Sequence, residues 1–379
     1  MVNRSITPAL ASDRPRVALV TNNPPPYRVP VFNAIGDHPE WDAHFIFSVA
    51  REPDRAWDFD PIRFKAHYLR ERYVPSSDTY IHFNIDIWKL LRELKPDLVF
   101  LNGFNPTNAL AYLYARTHGA AIGMIIDGTI LTEQRLSRWH RLMRAWMYPH
   151  IDTFAGPSEA TLQLYEHHGA PRSAMFKSHL CANNEAFGKE QVARGDQDDL
   201  IFCARFIAEK SPSFALQVAD GVAQRLGRKV SIKMVGSGPL DEALRAEAAR
   251  YQNVKVTFPG FAKQAQLPGL YAHARVLLFP TVRDAWGVVA NEACASGLPV
   301  VVTPMAGVAG ELVIDGDNGF VRPLDVPAWI DAVTRLLSDD ALYERMSRRS
   351  RELVAPYTFD NATRGLADAI RHGLNKHKR

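Results

Sequence analysis

Short, largely apolar segments recur along the whole chain. They lie at residues 16–21, 41–49, 98–101, 121–126 and 151–155, then at 200–204, 230–235, 254–258, 276–279 and 299–302. Runs without polar alternation, as at 98–101, 121–126, 200–204 and 276–279, suit burial on both faces of a parallel sheet, and the remaining segments are read as further strands. Between them the apolar spacing lengthens to a helical period, at 30–35, 85–94, 106–118, 133–148, 329–337, 343–353 and 360–374. A further helix, opened by Pro157-Ser158 and stopped by Gly169, is predicted near 159–168. Strand and helix in turn predict an α/β architecture built on crossover connections. Residues 51–80 carry neither period and read as an irregular excursion. Residues 183–199 turn polar and read as an interdomain linker.

The 379 residues are too many for one ordinary core and suit two domains of roughly 170–190 residues each. The expected division is 1–185 and 186–356. An apolar share of 46% is that of a soluble globular protein. The net charge of +4 is mild and its cations are interleaved with acids, so no nucleic-acid partner is expected. No apolar run approaches the ~20 residues of a spanning helix. The first sixteen residues lack an apolar core and are read as a lead-in without a signal peptide. Cys181, Cys203 and Cys294 sit apart in apolar segments, which suits a reducing cytoplasm and gives no metal-site spacing.

The chemistry concentrates at 274–304. Asp284 follows a strand, in the kind of loop where open α/β sheets bind ligands. Trp286, Gly287, Val288 and Val289 open the next helix, so their N–H groups are expected to be open to an anion. Glu292 lies within an otherwise apolar helix, a costly place for a carboxylate without a partner. Taken singly, Asp284 reads equally well as a helix cap and Glu292 as a solvated residue. Together they point to a polyol ligand.

This stretch resembles the retaining glycosyltransferases of family 4, which have the GT-B fold. The shared pattern is an acid, seven residues, Glu, a small-residue helix, and then Gly297-Leu298-Pro299-Val300-Val301. The first acid of that family is usually Glu; here it is Asp284, one methylene shorter. The resemblance implies two Rossmann-like domains with parallel sheets facing across a cleft, and a last helix within 357–379 that crosses back onto the first domain. It implies that Asp284 holds hydroxyls of a donor sugar and Glu292 the ribose of a nucleotide. Arg205 and Lys210 match the family's diphosphate-binding pair, with Ser211 where the family has Gly. Such cations clamp a diphosphate through charge-assisted hydrogen bonds of about 1.5–3 kcal/mol each. Gly236-Ser237-Gly238-Pro239 matches a loop near the nucleotide, with Pro239 expected at a helix start. Gly260 and Phe261 match the loop that meets the base, although Phe261 reads equally well as core.

The first half matches less specifically. Pro26-Tyr27-Arg28-Val29-Pro30 matches a subset of the family. Arg28 is read either as reaching a phosphate or acceptor group, or as a surface residue beside a rigid loop. Asp127 stands where many relatives have a His near the acceptor. It is read either as meeting an acceptor hydroxyl or as an Asp-Gly turn. The helix at 133–148 carries Leu136, Trp139, Leu142, Met143, Trp146 and Met147 on one stripe, rimmed by Arg135, Arg138, Arg141 and Arg144. It is an ordinary packing helix or one that touches anionic lipid. Asp315-Gly316-Asp317 reads as a turn and not as a metal site, and no catalytic metal is expected.

The expected protein is therefore a cytoplasmic enzyme, either free or peripheral on the inner face of the membrane. It would move a sugar from a nucleotide-sugar donor to a glycan or lipid-linked acceptor, with no further cofactor. Two rivals stay open: a nucleotide-sugar epimerase of the same architecture, and a nucleotide-sugar binder without catalysis.

Overall fold

A computed structural model describes residues 14–50, 61–76, 79–134, 136–189 and 192–377. In chain order the strands of the first part are β1 (Arg16–Thr21), β2 (Asp42–Phe47), β3 (Lys65–Tyr68), β4 (Tyr73–Ser76), β5 (Thr79–His82), β6 (Leu98–Leu101), β7 (Ala121–Ile125), β8 (Thr153–Gly156) and β9 (Met175–Lys177). Those of the second are β10 (Asp198–Cys203), β11 (Val230–Val235), β12 (Val254–Gly260), β13 (Ala274–Phe279), β14 (Val300–Val302) and β15 (Gly319–Val321). One sheet runs β3-β2-β1-β6-β7-β8-β9 and the other β12-β11-β10-β13-β14-β15. Both are parallel throughout, and β4-β5 is a separate antiparallel pair.

The burial explains the strand pattern. Leu98–Leu101 and Ala274–Phe279 are buried at every position, because helices cover both faces of a parallel sheet. Three strands, β3, β4 and β5, begin within the 51–80 excursion and escaped that pattern. Lys65-Ala66-His67-Tyr68 pairs only with β2, at the sheet edge, and has no fully buried position, so it lacks an apolar run. Residues 51–60 lie outside the described residues.

The helix expected at 133–148 is in fact broken. Glu133 ends a short helix, Ile130–Glu133, opened by a Thr129/Thr132 capping box. A second helix, Arg138–Met147, starts afresh with Ser137 as its N-cap. Two hydroxyl caps within one stretch divide it, since each side chain competes for backbone N–H groups that a continuous helix would use. Arg135 lies outside the described residues. Likewise Pro239 is not at a helix start: the chain turns first and the helix begins at Asp241. The polar stretch at 183–199 contains a helix, Asn184–Lys189, anchored by buried Phe187 against Tyr271.

The Phe359–His377 helix packs against the Val29–Gly36 helix and against β7, β8 and β9 of the first sheet. Thr153 Oγ1 donates to the Ala369 carbonyl at 2.9 Å there. Asn184 Nδ2 donates to the carbonyls of Val354 and Tyr357, both at 3.1 Å. The Glu311 carboxylate accepts the Glu159 N–H at 2.7 Å and pairs with Lys177 at 3.0 Å. Among the described residues no helix is long and apolar enough to cross a membrane.

Candidate functional site

The order of the second sheet reverses between β10 and β13, and open α/β sheets bind ligands at the carboxyl ends of the strands beside such a switch. The loop after β10 carries Arg205 and Lys210; the loop after β13 carries Asp284. The two loops are tied together. Lys210 Nζ donates to Asp284 Oδ2 at 2.6 Å, and Arg283 Nε donates to Glu209 Oε1 at 3.1 Å. The Val282 N–H donates to the Glu209 carbonyl at 2.8 Å. Both members of the Lys210–Asp284 pair are partly shielded from water, which strengthens their attraction.

Asp284 does not cap the helix that follows. Its Oδ1 accepts the N–H of Trp286 at 3.1 Å, so that N–H is not open to an anion as expected. The Trp286 ring is buried, donates from Nε1 to Asn291 Oδ1 at 2.8 Å, and stacks on Tyr357. The Val288–Ala295 helix opens at Gly287, whose φ of 106° and contact with the Phe279 ring leave no room for a side chain. The N–H groups of Gly287, Val288 and Val289 have no hydrogen-bond partner among the described residues. That helix end presents bare donors and the positive end of the dipole beside Lys210 and Asp284.

Glu292 is not a solvated helix residue. It is 5% exposed and accepts the Tyr271 hydroxyl at 2.8 Å. Burial pushes its carboxyl up to about 7, and the Tyr271 hydrogen bond opposes part of that rise. Burial likewise pushes the Cys203 thiol up to about 12, with the nearby Glu292 carboxylate adding to it. Glu292 lines a cavity of about 490 Å³ together with Arg205, Gly236, Phe261, Lys263 and Val289. That is the size of a small-molecule site. Phe261, at 46% exposed, is a wall of this cavity and not core. A Cβ at Gly236 would fall 1.9 Å from the Ala204 carbonyl oxygen, so glycine lets its loop run against the Arg205 loop.

The first sheet builds a second charged pair. It switches order between β1 and β6, and the loops after β1 and β7 carry Arg28 and Asp127. Arg28 is 4% exposed; Nη2 donates to Asp127 Oδ1 at 3.0 Å and Nη1 to the Ser178 carbonyl at 3.2 Å. Ser178 Oγ donates in turn to the Ala362 carbonyl in the last helix. Arg28 is thus neither a surface residue nor a lining residue of the cavity at Glu292. Asp127 is more open, with a third of its side chain exposed.

Residues 183–353 match the family model described as glycosyl transferases group 1. This stretch is a group 1 glycosyltransferase domain. The chain is 29% identical over 202 residues to the alpha-D-kanosaminyltransferase of Streptomyces kanamyceticus, covering 52% of each. It is 31% identical over 245 residues to a D-inositol 3-phosphate glycosyltransferase of Streptomyces avermitilis, covering 59% of this chain and 52% of the relative. The chain thus spans about half the length of the curated relatives it matches. The structure of Anabaena HepE in complex with UDP and glucose superposes with a TM-score of 0.71 at 13% identity, over 94% of this chain and 100% of that one. WaaG, a glycosyltransferase involved in lipopolysaccharide biosynthesis, superposes with a TM-score of 0.68 at 15% identity, over 93% and 98%. The fold is GT-B, two parallel-sheet α/β units.

Within the group 1 domain, Arg205, Lys210, Asp284, Glu292 and the helix start at Gly287 gather at the two strand ends. Tyr271, Asn291 and Arg283, which help hold these residues in place, drew no notice in the sequence. Ser211 takes a left-handed conformation at φ 48°, and it stands where the family has glycine. That departure marks the turn that aims Lys210. Asp315 and Asp317 are turned to arginines instead of to each other: Arg322 binds the first at 2.7 Å, and Arg349 grips both oxygens of the second at 2.9 Å.

Proposed function

We propose that this chain transfers a sugar from a nucleoside diphosphate sugar to a glycan or lipid-linked acceptor. The reading includes retention of configuration and a role in assembling a cell-surface polysaccharide or glycolipid, at the cytoplasmic face of a membrane. The observation that carries it is the Lys210–Asp284 ion pair beside the bare N–H groups of Gly287, Val288 and Val289. Departure of a diphosphate builds negative charge on its oxygens. Arg205, Lys210 and those N–H groups are fixed donors for that charge, and fixed donors need no reorganisation as the bond breaks. Asp284 holds hydroxyls of the sugar and aims Lys210. Glu292 accepts the ribose hydroxyls, and Phe261 meets the base. The HepE structure holds UDP and glucose, which agrees with this assignment without naming the sugar used here.

Asp127 faces the acceptor and Arg28 positions it. Units 1–185 and 186–356 then supply acceptor and donor, with the 357–379 segment returning to the first. No catalytic metal takes part, because cations and amides neutralise the diphosphate. The test is product analysis over a panel of nucleotide sugars and acceptors, with and without a chelator. A lengthened acceptor that survives chelation is the expected result. An isomerised donor indicates an epimerase, and an untouched but bound donor indicates a binding protein; either would overturn the proposal.

A further inference from the structure

We infer that the outer face of the Ile130–Glu133 and Arg138–Met147 helices is a docking surface for a bilayer that carries anionic lipid, and that the acceptor is anchored in that bilayer. The second half of this inference rests on the transferase reading above.

The break at Ser137 divides the apolar stripe in two. Met147 and Arg144 turn inward. Arg144 Nε donates to Glu133 Oε1 at 2.6 Å, so the one acidic residue between 130 and 147 is held internally. Leu136 is half-buried and Met143 packs against the core, while five other large side chains turn to solvent. Trp139 is 76% exposed and Leu142 60%, and Ile130, Leu131 and Trp146 are exposed as well. Arg138 and Arg141 are exposed on the same helix as Trp139 and Leu142. A cluster of apolar side chains held in water loses free energy unless something covers it. The two arginines and the absence of any outward acid from this segment select the cover. A second copy would bring like charges together, whereas anionic headgroups pair with arginine while indole and leucine side chains enter the acyl boundary. Tryptophan suits the headgroup level in particular.

The position gives the surface a purpose. Two residues separate Asp127 from Ile130, so the helices begin where the acceptor-side loop ends. A chain docked through this face holds Asp127 next to the membrane, within reach of a sugar on a lipid anchor.

Co-sedimentation with phosphatidylcholine vesicles, with and without phosphatidylglycerol, tests the surface. The full chain is expected to bind only vesicles containing phosphatidylglycerol and to be released by salt. Trp139→Ala and Leu142→Ala are each expected to weaken binding by roughly tenfold. Arg138→Glu with Arg141→Glu should abolish it. All four side chains are exposed, and unchanged melting shows that the variants fold. Absence of binding by wild type, or binding that none of these changes weakens, overturns the surface. Self-association in sedimentation velocity that Trp139→Ala abolishes assigns the face to a second copy and also overturns it. Nucleotide-sugar hydrolysis without vesicles reads the transferase site separately. The anchored acceptor requires that a variant combining Trp139→Ala with Leu142→Ala lose transfer to a vesicle-borne lipid acceptor while this hydrolysis stays unchanged. Equal loss of both overturns it.

Discussion

Two cation–carboxylate pairs sit at the switch points of the two sheets, and they are built differently. Arg28–Asp127 in the first unit is knotted into the backbone: the guanidinium also holds Ser178, which in turn binds the last helix. Lys210–Asp284 in the second unit joins two loops beside a cavity and a bare helix end. A planar guanidinium with several donors can serve structure and position a carboxylate at once. A lysine ammonium on a flexible stem is a point charge that can be shared with an incoming anion. The contrast teaches that like-looking pairs at matching places in two sheets divide the labour, one holding shape and the other handling charge.

The sharpest way to break this contrast is Lys210→Ala. Turnover should fall by ~10²–10³, while the melting temperature changes little. Near-normal kcat in that variant would remove the lysine from the chemistry. Arg28→Ala should do the reverse to the fold, costing about 1–3 kcal/mol in denaturant unfolding, because a buried backbone carbonyl and a half-buried carboxylate lose their donor. If Arg28→Ala melts like wild type, the first pair is not a structural knot.

Glu292 sharpens the comparison through pH. Its folded-state carboxyl is raised from 4.5 to about 7. The folded state therefore binds the proton more tightly than the unfolded state, and this stabilising contribution fades as pH climbs through about 7. Glu292→Gln cannot ionise, so its melting advantage over wild type should grow as pH rises from about 5 to about 8. Ribose hydroxyls donate to the ionised form, so nucleoside diphosphate affinity should improve over the same range in wild type more than in the variant. Parallel curves for the two proteins, in melting and in binding, contradict the assignment. The smallest effect is expected at Ser211. Ser211→Gly relieves a left-handed backbone but gains chain entropy when unfolded, so the net change should stay within about 1 kcal/mol. A large loss of stability would mean that the serine side chain matters more than its backbone.

Most of the group 1 domain was legible because its chemistry lies at the ends of apolar strands. Arg205, Lys210 and Asp284 follow β10 and β13 directly, and Gly287 marks the helix start. The supports were not legible. Tyr271 precedes Glu292 by 21 residues on a different helix, and nothing in its apolar neighbourhood announces the hydrogen bond. Arg28 and Asp127 are 99 residues apart, and only the sheet order β1-β6-β7 brings their loops together. The edge strand at 65–68 was missed because an edge need not be apolar. The helix break at Ser137 was missed because arginine spacing continued the period across it. In each case the information sits in pairing across the fold and not in local pattern.

The chain passes from the first unit to the second once and returns once, and Asn184 fastens the outgoing pass to the returning one through the carbonyls of Val354 and Tyr357. A two-strand connection riveted in this way has lost most of its freedom to twist. The grip of Glu311 on Glu159 and Lys177 adds a second tie between the units. Parting the two units therefore means breaking the ties of one carboxylate as well as two carbonyl hydrogen bonds.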